Sequence, residues 1–489
     1  MNPRLTTHSA DDPRPIGSES GKPLPSDART TPSSLRRVIA ASLIGTSLEW
    51  YDFFLYGSAA ALIFNQLFFP SFDPLIGTLL AFATYAVGFV ARPIGGVVFG
   101  HFGDKAGRKT VLVVTLLIMG VSTFCIGLLP TYATIGVWAP IALVALRFVQ
   151  GIGLGGEWGG AVLMALESGD GRRRGFHASW PQVGVPAGNL LAAGVLALLS
   201  WLLSESAFES WGWRIPFLLS GLLVLVGLWI RSTITESPLF RKAEASSEKR
   251  KAPMVEVLRE HPRSVAIAVG ARLGVDVAFY TFTLFILTYA TQRAGVPRSV
   301  ALNAVLVGSA LQLFLIPLAG HLSDVVGRRP VYAVGAVGAV AWIWAFFALI
   351  DTGSSGWIVL AAVGGLVTHA AMYGPQASFV TELFPTAVRY SGASIGYQVA
   401  GVLGGALAPL ISVFLLDRFD SSIAVSVYVA AALLVTLVAV ALAPETRTLD
   451  LTASDPTTTG SDRSGAAEPY PAETNQDETS SEAGARARR

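Results

Sequence analysis

Residues 45–64 read GTSLEWYDFFLYGSAAALIF, an apolar run interrupted by Glu49 and Asp52. On a helix, Glu49 and Asp52 stand three residues apart and Asp52 and Tyr56 four apart, so all three share one stripe. A charged group inside hydrocarbon is costly and almost always faces the bundle interior or a water-filled cavity. Desolvation and a like-charged neighbour both favour the neutral form of a carboxylate, so a group placed there can exchange a proton near neutral pH. Proton coupling is the chemistry this pattern offers. The plainer alternative is a structural acid paired with a buried arginine or a helix N-terminus. Asp52 is the first candidate, being deeper and facing Tyr56. Two further acids stand in apolar runs, Glu157 in GLGGEWGGA and Asp276 in ARLGVDVAFYTF.

Three arginines complement them. Arg92 precedes Pro93, Arg147 opens ALRFVQGIGLGGEW, and Arg272 stands four residues before Asp276. A guanidinium fork suits a carboxylate, whether of a solute or of the protein. Substrate contact and helix-fixing pairs with Glu49, Asp52, Glu157 or Asp276 are both open readings. Tyr56, Trp158, Trp180, Tyr280 and Tyr373 could build an aromatic box for a quaternary ammonium group. Gln376, with Gln150, Gln182, Asn189 and Gln398, is an intramembrane amide that could line a cavity or bond between helices. His369, in VTHAAMYGPQ, could carry protons, although lone histidines more often serve packing.

Membrane helices must position these groups. The chain has 489 residues, 52% hydrophobic and only 14% charged, with 50 glycines. Soluble domains are about 25% charged. Low charge with abundant glycine indicates an all-α polytopic membrane protein, in which glycine permits close helix approach. The one cysteine, Cys125, excludes an internal disulfide. CxxC, HExxH and GxxxxGK[ST] patterns are missing, which argues against an ATP-driven pump and for no metal and no cofactor.

A span needs about 20 mainly apolar residues. Twelve candidates lie near 38–64, 76–99, 110–129, 138–166, 178–203, 214–233, 264–290, 300–320, 330–350, 356–380, 390–416 and 422–443. The expected organisation is a disordered cytoplasmic tail (1–35), a six-helix half (36–233), a cytoplasmic middle loop (234–263), a second six-helix half (264–445) and a disordered cytoplasmic tail (446–489). Both tails have too little apolar surface to offset ordering entropy. The first lacks a signal-peptide core, so the first span is expected to be retained. One set of loops carries GDKAGRK, GDGRRRG, FRKAEASSEKRK and VGRRP, whereas the opposite set is nearly free of Lys and Arg. That asymmetry places the basic loops and both termini in the cytoplasm.

The two halves repeat one loop. GHFGDKAGRKTV (100–111) matches GHLSDVVGRRPV (320–331), each after the second helix of its half. Gly100, Asp104, Gly107 and Arg108 pair with Gly320, Asp324, Gly327 and Arg328. Glycine permits a tight reversal, and aspartate can cap a helix or pair with arginine. The plain reading is a positive-inside connector. The sharper one is a charge-paired latch that breaks as the halves rock. Parallel six-helix repeats are a transporter architecture with the solute site between the halves.

The G-x-x-x-D-x-x-G-R-K/R pattern after helices two and eight resembles the signature of the major facilitator superfamily. EWYDFFLYG (49–57), ARPIGG (91–96) and LRFVQGIGLGGEWGGA (146–161) resemble the first, second and fourth helices of its metabolite:H+ symporter family. TESPLF (235–240) and PETR (444–447) resemble tags that follow helices six and twelve there and in sugar porters. The resemblance spans about residues 36–447 and implies twelve transmembrane helices in two pseudo-symmetric halves. It also implies proton-driven uptake of a small polar metabolite; relatives take proline, glycine betaine, 2-oxoglutarate, citrate or shikimate. Relatives often carry Glu-Asn where Val275-Asp276 stands here, which makes transfer of any one substrate less safe.

The expectation is therefore a secondary active transporter rather than an enzyme, working as a monomer in the plasma or inner membrane. Its partners are protons, a small solute and the lipid bilayer, not nucleic acid. Buried acids with aromatic residues favour a zwitterion such as proline or glycine betaine, which is the leading expectation. Three buried arginines favour an organic acid instead. An exporter on the same fold is a weaker alternative. A sensor or membrane enzyme would need a signalling domain or a catalytic constellation, and neither is evident.

Overall fold

The computed structural model describes residues 32–106, 108–155, 173–233, 253–386 and 388–449. Twelve long helices run through them: α1 (Pro32–Leu62), α2 (Pro74–Ala106), α3 (Arg108–Leu128), α4 (Trp138–Leu154), α5 (Arg174–Leu202), α6 (Arg214–Thr233), α7 (Pro262–Arg293), α8 (Arg298–Val326), α9 (Arg328–Asp351), α10 (Ser355–Glu382), α11 (Arg389–Phe419) and α12 (Ser422–Leu442). Helices are the expected answer to hydrocarbon, because they satisfy every backbone polar group within the segment. Among the described residues, eight are long and apolar enough to cross a membrane, and a ninth if the bent pair Glu205–Gly212 and Arg214–Leu228 is one span. The expected middle loop falls outside the described residues at 234–252 and ends in a short helix, Pro253–Glu260.

Glycine sets the closest approaches. A Cβ at Gly95 would meet the Ile152 carbonyl, one at Gly151 the Gly88 carbonyl, and one at Gly155 the Arg92 carbonyl. The α2 and α4 backbones therefore touch, which brings Arg92 and Arg147 into one small region. Between the halves, α5 packs along α8 and α10, α2 meets α11, and α1 meets α7. Two helices depart from α geometry beside this seam. α7 widens to π geometry at Thr281–Phe285 and Tyr289–Arg293, and α11 does so at Gly401–Ala406. Such bulges recur at functional sites.

The halves touch at both ends. At the end carrying the basic loops, α5 abuts α8, where a Cβ at Gly320 would lie 2.7 Å from the Gly175 carbonyl oxygen. At the opposite end, Gln292 donates to Thr78 Oγ1 (2.9 Å) and Arg298 pairs with Glu205 (2.7 Å).

Candidate functional site

Within the first half, Arg147 is buried among aromatic rings. Its guanidinium lies 4.5 Å from the Phe53 ring centre, 4.3 Å from Tyr56 and 5.0 Å from Tyr85. It donates to Gln150 Oε1, and Gln150 donates to Thr123 Oγ1 (2.7 Å). Asp52 is buried beside Thr123 and within electrostatic reach of Arg147. Glu49, Phe53, Gly88, Arg147 and Gln150 help line a cavity of about 10 Å³. That is roughly the space of one water. The arrangement sets a buried carboxyl group beside a fixed cation.

Between the halves stands a second cluster. Arg92 of α2 lies over Phe89 (4.3 Å), Phe53 (4.5 Å) and Trp50 (5.7 Å). Its Nε and one terminal nitrogen are buried with no hydrogen-bond partner among the described residues. Arg272 of α7 donates to Asp276 Oδ2 (2.9 Å) and lies 3.3 Å from the Tyr397 ring centre. Tyr280 packs against Phe89 (6.0 Å) and Tyr85 (6.3 Å) of α2. Phe54 and Phe279 meet across the seam at 5.6 Å. Arg92 lies within electrostatic reach of Arg272, Tyr280 and Tyr397. Among the described residues two cations thus face one carboxylate, Asp276, and a buried charge excess of this kind attracts an anion.

A third network closes the basic end. Asp324 accepts the Gly175 and Phe176 backbone N–H groups, each at 2.8 Å, and pairs with Arg328 at 2.6 Å. Arg328 also reaches Glu382 (3.3 Å), as does Arg174 (3.5 Å). Thr446 donates to Glu382 (2.6 Å), and Glu445 accepts the Arg328 N–H (2.9 Å). Arg174 donates to the carbonyls of Arg447 (2.9 Å) and Leu449 (3.2 Å).

A sequence profile of the Major Facilitator Superfamily matches residues 42–409 and 297–465. The chain belongs to this superfamily. It is 42% identical over 420 residues to the inner membrane metabolite transport protein YhjE of Escherichia coli K12, covering 85% of this chain and 95% of the relative. It is 42% identical over 398 residues to the shikimate transporter of the same strain, covering 81% and 91%. The glycine betaine/proline/ectoine/pipecolic acid transporter OusA of Dickeya dadantii is 36% identical over 395 residues, 78% of each chain. These relatives match the metabolite:H+ symporter family that the first- and fourth-helix motifs imply. Among solved structures, the inward open conformation of the E. coli xylose transporter XylE aligns with a TM-score of 0.66 at 19% identity, covering 86% of this chain and 98% of that one. The protein is a multi-pass membrane transporter of the major facilitator fold and not an enzyme.

Within this transporter, the sequence candidates divide into groups. Asp52, Glu49, Tyr56 and Arg147 meet inside the first half, and the Tyr56 hydroxyl is bonded to Thr84 rather than facing the seam. Arg92, Arg272, Asp276 and Tyr280 gather between the halves, and Tyr373 sits next to them, stacked 4.9 Å from His369. Gln376 donates instead to the Tyr332 hydroxyl (3.2 Å). Of the latch residues, Asp324 and Arg328 pair as the repeat implies, Gly320 gives the close approach, and Gly327 takes a positive φ of 123°. Gly100 and Asp104 lie in α2 and Arg108 opens α3, but their side chains fall outside the described residues, as do Gly107, Glu157 and Trp158. Sequence reasoning missed Tyr85, Phe89, Tyr397 and Glu382. Tyr85, Phe89 and Arg92 follow i, i+4, i+7 spacing, a stripe that could have revealed the first two.

Proposed function

We propose that this transporter takes up a small metabolite bearing a carboxylate together with a proton, with both chain termini in the cytoplasm. The carrying observation is Arg92, buried beside the Arg272–Asp276 pair with two nitrogen atoms that have no partner among the described residues. A solute carboxylate balances that charge and supplies the missing acceptors. Asp52 beside Arg147 is the proton site. Proton and solute together favour one facing of the site over the other, and that differential affinity is the coupling.

The carboxylate reading covers organic acids and the zwitterions proline and glycine betaine. The ring faces favour the acids. A quaternary ammonium group needs open aromatic faces. Here Phe53 and Phe89 carry Arg92, Tyr56 and Tyr85 carry Arg147, and Tyr397 carries Arg272. The names of the betaine and proline transporting relatives keep the zwitterion as the second reading.

Proteoliposomes with an internal pH dye test both. Shikimate, 2-oxoglutarate, citrate, proline and glycine betaine are added singly. Proton influx with an acid but not with betaine is the expected result. Influx with betaine alone replaces the acid reading by the osmolyte one. Silence with all five, in folded and inserted protein, overturns proton-coupled uptake of these solute classes.

A further inference from the structure

His369, on α10, is only 2% exposed, and the coupling site does not use it. Its ring packs between Phe279 (4.6 Å between ring centres) and Tyr373 (4.9 Å). Nδ1 lies 2.8 Å from Nε2 of Gln312 on α8. The same Gln312 nitrogen lies 3.0 Å from the Leu366 carbonyl oxygen. A carbonyl only accepts, so the atom facing it must be the amide nitrogen. Turning the amide over would bring two oxygens together. Both hydrogens of that nitrogen are then committed, one to Leu366 and one to His369. Nδ1 must accept, so the ring carries its hydrogen on Nε2. A proton added at Nδ1 would point at an N–H group, so the ring stays neutral while Gln312 stands there. Among the described residues no side chain takes the Nε2–H.

The ring also stands beside the solute cluster. Phe279 reaches Phe54 of the other half at 5.6 Å, and Arg272 acts electrostatically on His369. An N–H donor with no acceptor among the described residues, within electrostatic reach of Arg272, is suited to an oxygen of the solute. A donor of fixed tautomer rejects a solute that lacks the matching acceptor, because the donor is then left unpaired.

We propose that His369 is a specificity-determining residue: Gln312 holds it as a neutral Nε2–H donor to a hydroxyl or carboxylate oxygen of the solute. The inference rests on the reading that the seam binds a small oxygen-bearing acid. It gives His369 no part in carrying the proton.

Two measurements test it. The first is the ¹⁵N spectrum of histidine-labelled protein, with His369→Phe used to assign the signal. The expected pattern is one bare Nδ1 and one protonated Nε2, unchanged between pH 5 and 8. An imidazolium signal in that range, or the Nδ1–H tautomer, overturns the proposal whatever the solute proves to be. The second is transport of the solute that drives proton influx. His369→Phe keeps the ring stack and loses the donor, so KM should rise about tenfold with the maximal rate and proton-coupled accumulation retained. His369→Gln restores an N–H and should recover part of the loss. Gln312→Leu should raise KM in the same direction. An unchanged KM in His369→Phe, or loss of uphill accumulation at unchanged KM, overturns the donor role. If no solute drives influx in the unaltered protein, the transport reading fails and the ¹⁵N spectrum still decides the tautomer.

Discussion

Asp324 of the second half accepts the backbone N–H of Gly175 in the first half at 2.8 Å. The bond follows from where α5 begins. The helix starts at Arg174, and its first N–H groups have no partner within the helix. An anion at a helix N-terminus is also favoured by the helix dipole. Arg328 donates to the same carboxylate oxygen, the Phe176 N–H donates to the other, and the glycines at 175 and 320 let the two backbones close on it. One acid thus binds a helix end across the seam and a cation within its own repeat.

Asp324→Asn keeps the shape and removes the charge. The structure closed at this end should lose about 1–3 kcal/mol relative to the one open there. Ser179 lies fully buried in this contact, so Ser179→Cys in a Cys125→Ser background reports on opening. Thiol labelling at 179 should rise at least about fivefold when Asp324→Asn is added. An unchanged labelling rate would remove the latch from the mechanism.

Asp52→Asn separates coupling from passage. The amide fills the same space near Thr123 but cannot release a proton at physiological pH. Uphill accumulation of the solute should collapse to no gradient, while exchange of labelled for unlabelled solute persists. Accumulation at the original level in Asp52→Asn vesicles assigns the proton to another group, with Glu49 at the small cavity the next to replace.

Arg92→Lys tests the solute carboxylate. Lysine keeps the charge but gives up the planar fork and its stacking on Phe53 and Phe89. KM for the transported acid should rise by roughly ten- to a hundredfold, the cost of one charge-assisted hydrogen bond. The uncharged amide analogue of that acid should lose far less. Equal losses for acid and amide would mean that Arg92 supports packing and leaves the carboxylate to another residue.

The helix count, the two halves and the pairing of Asp324 with Arg328 were legible in the sequence because each has a local signal. Apolar runs give helices, and Gly-x-x-x-Asp-x-x-Gly-Arg gives a turn with a charge pair. The division of Asp52 from Asp276 was not legible. Both are acids in apolar runs, yet one sits inside a half with Arg147 and the other at the seam with Arg272. That distinction depends on which helices touch, and the stripe of a single helix does not contain it. Tyr56 shows the same limit: helical spacing put it with Asp52, while packing against α2 tied its hydroxyl to Thr84. Glu382 went unread because its partners, Arg174, Arg328 and Thr446, are distant in the chain.

The contact between α2 and α4 offers a test of how the fold positions the site. A side chain at Gly151 would press on the Gly88 carbonyl and on Ala91 Cβ (2.8 Å), both on α2. Among the described residues nothing lies within 4 Å of a Cβ at Gly45 in α1. Gly151→Val should therefore cost about 1–3 kcal/mol by overpacking. Gly45→Ala should be neutral or add about 0.5–1 kcal/mol through helix propensity. Thermal unfolding in detergent, followed by tryptophan fluorescence, should place the Gly151→Val midpoint well below that of Gly45→Ala. Uptake should fall in step, because Arg147 sits one turn before Gly151 and Arg92 one residue after Ala91, so spreading these helices moves both cations together. Equal midpoints with intact uptake would show that the two helices can separate without cost, and that the glycines do not hold the arginines in place.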